Sequence, residues 1–210
     1  MAIKNHSLDS QIAEAAFQEF LTFGYEKASL RKIAANAGVT VGAIYTRYAT
    51  KDSLFCSLVQ PLIDRISEAF SQIQQQFFGG SAGTELTSLE SSMQIESQAI
   101  LHLLFDDYER AVLLLCRSAG SSLEHYFDAI LQRKIDTTIQ FFHGAGVPHP
   151  GPDVLRLLLK SQFSMYFQIV DGGYDLNAAK RMMQAAITYH TGGWIALLNA
   201  QTTDETGGTP

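Results

Sequence analysis

Residues 30 to 49, LRKIAANAGVTVGAIYTRYA, constrain what this chain can fold into more tightly than any other stretch. Ile33, Ala37, Val39 and Ile44 recur at the spacing of two short helices whose apolar faces meet across a turn. Helices that cross steeply at short range need a small side chain at their closest approach, and Ala34 stands there. The turn Ala37-Gly38-Val39 needs a residue tolerant of positive φ, which Gly38 supplies. Thr40 offers a side-chain cap for the second helix. The pattern predicts a helix-turn-helix.

Helical spacing extends through the rest of the chain. It holds 23 Ala and 23 Leu against seven Val and five Pro, and Ala and Leu lose little on entering a helix. Periodicity predicts a first helix over 7–23 ended by Gly24, a second over 30–36, a third ending near Tyr48 and a long fourth opened by Thr50. Pro61 falls inside the fourth and is expected to kink or break it, because proline removes a backbone donor. Gly79 to Gly83 reads as a flexible linker, followed by helical segments at roughly 85–102, 106–117, 121–143, 152–171 and 175–200. Residues 204–210 are polar and read as a disordered tail.

Composition excludes several classes. Cys56 and Cys116 lie 60 residues apart, too few and too scattered for a disulfide framework or a Cys-ligated zinc site. Residues 182–203 carry no formal charge and are long enough to span a bilayer, but Gln184, Thr188, His190, Thr191, Asn199 and Gln201 would be costly in lipid. With no apolar leader segment visible, the expectation is a cytoplasmic chain without membrane contact. Net charge is −6, distributed unevenly: the first 60 residues hold six Lys/Arg and five Asp/Glu, the remainder nine and sixteen. A near-neutral head on an acidic body hints at two jobs.

Over residues 12 to 59 the sequence resembles the TetR family of transcriptional regulators. The features that carry this are Phe23-Gly24-Tyr25-Glu26, the run Ser29-Leu30-Arg31-Lys32-Ile33-Ala34, the Ala-Gly-Val turn, Gly42-Ala43-Ile44-Tyr45, and Lys51. The resemblance implies an all-α protein with a helix-turn-helix DNA-binding domain at 1–49 and an effector-binding and dimerisation domain at 50–203. It implies a ligand-responsive repressor, not an enzyme, with neither cofactor nor metal. As a homodimer the protein would bind a double-stranded operator of inverted-repeat form and be released by a small-molecule effector.

On DNA, the first turns of the third helix would enter the major groove and expose Thr40, Val41, Gly42, Ala43, Tyr45, Thr46 and Arg47. By resemblance, Tyr45 and Thr46 reach phosphates or base edges and Lys51 pairs with a phosphate. Arg31 is placed at a guanine edge or, alternatively, at a phosphate. One departure matters. Relatives often carry Lys or Arg just after the turn, where this chain has Val41, so base readout would lean on Arg31, Tyr45 and DNA shape, and the salt dependence of binding should be shallower.

Other signals compete. Gly79-Gly80-Ser81-Ala82-Gly83 fits the G-x-S-x-G nucleophile elbow, so a small helical hydrolase using Ser81 is one alternative. That motif needs a preceding strand, and SEAFSQIQQQFF is helical in pattern. A DNA-binding regulator with no effector is the other alternative. His102 and Asp106 are spaced to share a metal, but a solvated acidic patch accounts for them more simply. Aromatic and polar groups in the body supply candidates for an effector pocket: Ile66, His102, Phe105, Tyr108, Cys116, His125, Phe163 and Phe167. In the last two helices Leu155, Leu158 and Gln162 form one stripe, and Met182, Ala186, His190, Gly193 and Leu197 another. Gly192-Gly193 inside a helix costs roughly 2 kcal/mol of helix propensity, which close approach of a partner helix would offset. These stripes are candidates for a four-helix dimer interface.

Overall fold

The computed structural model describes residues 6–78, 86–146 and 148–204. Among the described residues there are nine α-helices and no strand: α1 (His6–Lys27), α2 (Leu30–Asn36), α3 (Val41–Tyr45), α4 (Lys51–Phe78), α5 (Leu86–Asp106), α6 (Tyr108–Cys116), α7 (Tyr126–Ala145), α8 (Pro152–Asp171) and α9 (Leu176–Asp204). The Gly79–Gly83 segment with Ser81 lies outside the described residues, as does the tail beyond Asp204.

One expectation about helix boundaries holds and one is narrowed. Gly24, at φ 74°, ψ 164°, is non-helical and interrupts the regular helix; a short helical stretch follows it to Lys27. Only glycine takes that conformation without strain. Pro61 does not break α4, which runs through it. Proline removes the donor that would meet the Ser57 carbonyl. One residue along, Arg110 of α6 donates its Nε to the Leu58 carbonyl at 2.7 Å, a side chain supplying a partner where the ladder is weakened.

The chain divides into two compact units, Met1–Arg65 with Asp106–Tyr126, and Ile66–Phe105 with Phe127–Pro210. The expected division after residue 49 follows role; compactness follows contacts, and it joins α6 to the head. In the first unit α1 packs against α2 and α6, and α2 against α3. Its core is Ile12, Ala16 and Phe20 of α1, Ile33 and Ala34 of α2, Ile44 of α3, Leu54, Phe55 and Leu62 of α4, and Ala111, Leu113 and Leu114 of α6. In the second unit α8 packs against α9. Its core includes Met93, Leu101 and Leu104 of α5, Leu131 and Ile135 of α7, Leu155, Leu159 and Tyr166 of α8, and Met183, Ile187 and Trp194 of α9. No helix among the described residues is long and apolar enough to cross a membrane.

His190 of α9 is buried in the second unit, and desolvation holds its pKa below the ordinary 6.5. The unfolded chain therefore binds a proton on this imidazole at a higher pH than the folded one. Its neutral burial costs nothing above 6.5, and stability falls as pH drops from there toward the lowered folded value. His190→Gln should flatten the stability profile in that window. Urea midpoints at pH 7.5 and 5.5 for both proteins check it, and parallel profiles would refute it.

Candidate nucleic-acid interface

The turn after α2 is built by local hydrogen bonds. Ala37 N donates to the Ile33 carbonyl at 2.9 Å, Gly38 N to Ala35 at 3.2 Å and Val39 N to Ala34 at 2.9 Å. Gly38 sits at φ 66°, the left-handed conformation that the sequence required there. Thr40 then extends the chain, and its Oγ1 accepts from Ala43 N at 3.1 Å. A hydroxyl that caps by accepting keeps its own proton to donate elsewhere. Ile44, 1% exposed, is the buried residue that seats α3.

The flanking helices are fixed from α1. Ser29 makes no side-chain cap on α2; instead its backbone N donates to Glu19 Oε1 at 3.0 Å. Glu19 is buried, an acidic residue placed where the stripe Ile12–Ala16–Phe20 faces inward. That interruption of an apolar stripe was the sequence signal for it. At the start of α4, Ser53 N donates to Thr50 Oγ1 at 2.9 Å and Thr50 N to Ser53 Oγ at 3.0 Å, a reciprocal cap.

A segment distant in sequence is tied to the same unit. Tyr25 N donates to the Arg117 carbonyl at 2.8 Å, and Arg117 Nε to the Leu21 carbonyl at 3.3 Å. Asp52, in the first turn of α4, accepts from Ser122 N at 2.9 Å and from Ser122 Oγ at 2.7 Å. Desolvation alone would raise the Asp52 carboxyl; these two bonds, with a third from the Cys56 thiol at 3.7 Å, outweigh it and leave the group below its ordinary value.

The residues expected on DNA are not equally presented. Arg31, Thr40, Gly42, Tyr45 and Thr46 are exposed, Tyr45 by 52%. Val41, Ala43 and Arg47 are half-buried rather than exposed. Arg47 has a structural partner, its Nε paired with Asp9 Oδ1 and its Nη1 donating to the Ala43 carbonyl at 3.3 Å. Lys51 is half-buried too: its Nζ lies 4.8 Å from the Tyr25 ring centroid and donates to the Glu26 carbonyl at 3.3 Å. Burial lowers its pKa, against the pull of Glu19 and Glu26.

Residues 12–58, the span that forms this surface, match the family of bacterial regulatory proteins, tetR family. This segment is a tetR-type DNA-binding head. Solved structures share its fold over most of its length. A TetR-like transcriptional regulator from Rhodococcus sp. RHA1 is 16% identical at a TM-score of 0.62, covering 91% of this chain and 100% of that one. The fatty acid degradation regulator FadR from Bacillus halodurans is 20% identical at 0.57, covering 91% and 98%. FadR from Bacillus subtilis, in complex with stearoyl-CoA, is 19% identical at 0.57, covering 85% and 96%. The family match thus covers the helix-turn-helix segment, and the solved structures extend the likeness of fold to the rest of the chain.

The pocket candidates fall in both units. Ile66, His102, Phe105, Phe163 and Phe167 belong to the second, and Tyr108, Cys116 and His125 to the first. Ile66 is buried, whereas His102 and His125 are exposed. Phe163 lies 6.5 Å from Phe70 and 6.4 Å from Tyr166, and Phe167 meets Phe127 edge-on at 4.9 Å. Sequence reasoning missed the polar groups inside the second unit. Lys134 of α7 is paired with Glu96 of α5, and burial followed by the Glu96 charge pushes the Tyr166 hydroxyl well above its ordinary range. Glu96 and Ser97 occupy inward positions among Met93, Ile100 and Leu101, the same kind of signal that marks Glu19.

The dimer candidates divide as well. Leu155 is 0% exposed and so has no surface to give a partner, and His190 is buried. Met182 and Gly193 are exposed, while Leu158, Gln162, Ala186 and Leu197 are half-buried. The largest apolar exposures on these helices were not anticipated: Leu157 at 70% and Tyr189 at 78%. Among the described residues a methyl added at Gly192 or Gly193 would meet nothing within 4 Å, so none of them makes the close approach expected there.

Proposed function

We propose that this TetR-family regulator is a ligand-responsive repressor that binds an inverted-repeat operator as a homodimer, and that a small molecule held by residues after the head releases it. The exposure of Tyr45 on an α3 seated by Ile44 is the observation that carries the DNA half: the apolar side of the helix is spent on the fold, and a phenol with Thr46, Thr40, Gly42 and Arg31 is left outward. Arg31 offers a fork for guanine, and Tyr45, Thr46 and Lys51 offer donors for phosphates. Dimerisation through α8 and α9 is favoured by Leu157, Met182 and Tyr189 standing exposed beside two glycines with open space above them. A dimer would place two copies of α3 about 34–36 Å apart, one DNA turn.

Selection from random duplexes should return an inverted repeat. Tyr45→Ala should weaken binding to it by about 1.5–3 kcal/mol, the range for a hydrogen bond to a charged group. Equal affinity of parent and variant would refute the assignment. The two FadR neighbours, one holding stearoyl-CoA, make acyl-CoA thioesters the first effectors to test, by release of the selected operator. A ligand does this only through its differential affinity for the free and DNA-bound forms.

A further inference from the structure

An ion pair that the sequence does not reveal removes one cation from the face of the head that carries Tyr45. α3 itself, Val41–Tyr45, holds no charged residue. The first cation after it is Arg47, one turn beyond Ala43, and its guanidinium is turned back onto α1, with Nε on Asp9 Oδ1 and Nη1 on the Ala43 carbonyl. Both side chains keep partial solvent access, 20% for Arg47 and 27% for Asp9. An ion pair at such a rim is weakly held in water, so losing one partner releases the other and leaves the fold intact. Toward a polyanion the pair presents no net charge, and the carboxylate itself repels phosphate.

We propose that Asp9 tunes the affinity of the DNA-binding head for DNA: it occupies Arg47 and so withholds one cation from the phosphate backbone. Phosphate contacts carry no sequence information, so a cation held back lowers affinity for every duplex alike and leaves discrimination to Arg31 and Tyr45. Arg47 then acts as a positioning residue that ties the end of α3 to α1, not as a DNA contact. The inference rests on the DNA-binding reading above and adds to it a residue on α1.

The test uses the full chain and a fluorescein-labelled duplex of random sequence, with binding followed by anisotropy from 50 to 200 mM salt. Asp9→Asn should steepen the slope of log K against log salt by about 0.9, the increment for one phosphate contact, so that affinity falls roughly threefold more than the parent's over that range. Arg47→Gln should leave the parent slope unchanged, and Asp9→Asn with Arg47→Gln should match Arg47→Gln alone. Asp9→Ser removes the same charge and serves if the asparagine variant melts early. A slope for Asp9→Asn equal to the parent's overturns the proposal. So does an Arg47→Gln slope flatter by about 0.9, which would place Arg47 on phosphate already. A parent that binds no duplex at any salt overturns the DNA-binding reading, and this inference falls with it.

Discussion

Phe55→Ala is expected to cost the protein about 3–5 kcal/mol, the range for truncating a buried aromatic residue. Phe55 of α4 is 0% exposed and meets Phe20 of α1 edge-on at 5.1 Å and Tyr25 edge-on at 5.3 Å. Phe20 and Tyr25 stack at 6.0 Å. One ring thus joins the fourth helix, the first helix and the segment that leaves Gly24. A loss of that size is a large part of the roughly 5–15 kcal/mol that holds a domain folded. Binding should suffer with stability, because the Lys51 ammonium rests over the Tyr25 ring that Phe55 supports. Phe55→Leu keeps much of the apolar volume and should cost clearly less. Urea denaturation followed by helical circular dichroism reads both, with the midpoint falling at unchanged slope. A Phe55→Ala midpoint within experimental error of the parent's would mean that the trio contributes little.

What the sequence disclosed and what it hid divide by range. The turn at Gly38, the Thr40 cap and the seating of Ile44 depend on bonds between residues at most five apart, so the local pattern specifies them. Arg47 looked outward because a helical wheel gives it no partner; Asp9 is 38 residues away, and only the packing of α3 beside α1 brings them together. Asp52 and Ser122 are 70 apart, and nothing in the chain's periodicity announces that the residues after α6 return to the head. A kink or break at Pro61 was expected of a helix in isolation, whereas Arg110 lies 52 residues from Leu58 and reaches its carbonyl only in the folded unit. On α8 the stripe through Leu155 and Leu158 was visible, but where core gives way to surface was not. Leu155 is sealed and Leu157 is 70% exposed, two residues and about 200° of helix rotation apart. Buried charge was legible in principle, since Glu19 and Glu96 both interrupt apolar stripes; their partners were not.

The second large effect concerns that buried charge. Lys134→Met strands the Glu96 carboxylate in the second unit, where its side chain is 11% exposed and its charge already acts on Tyr166. Breaking a fully buried pair costs about 3–5 kcal/mol; Lys134 retains 28% exposure, so water partly compensates and about 2–4 kcal/mol is expected. Replacing both partners, Glu96→Leu with Lys134→Met, should recover most of that loss, because an apolar pair of similar volume escapes the desolvation that offsets the Coulomb attraction. Urea denaturation of the two single variants and the double completes a cycle whose coupling term isolates the pair. A double variant as unstable as the sum of the singles would show that each residue stabilises the unit through separate contacts. Recovery in the double would mean that this charge is not kept for stability, which leaves specificity of packing, or recognition of a polar group on the proposed effector, as its use.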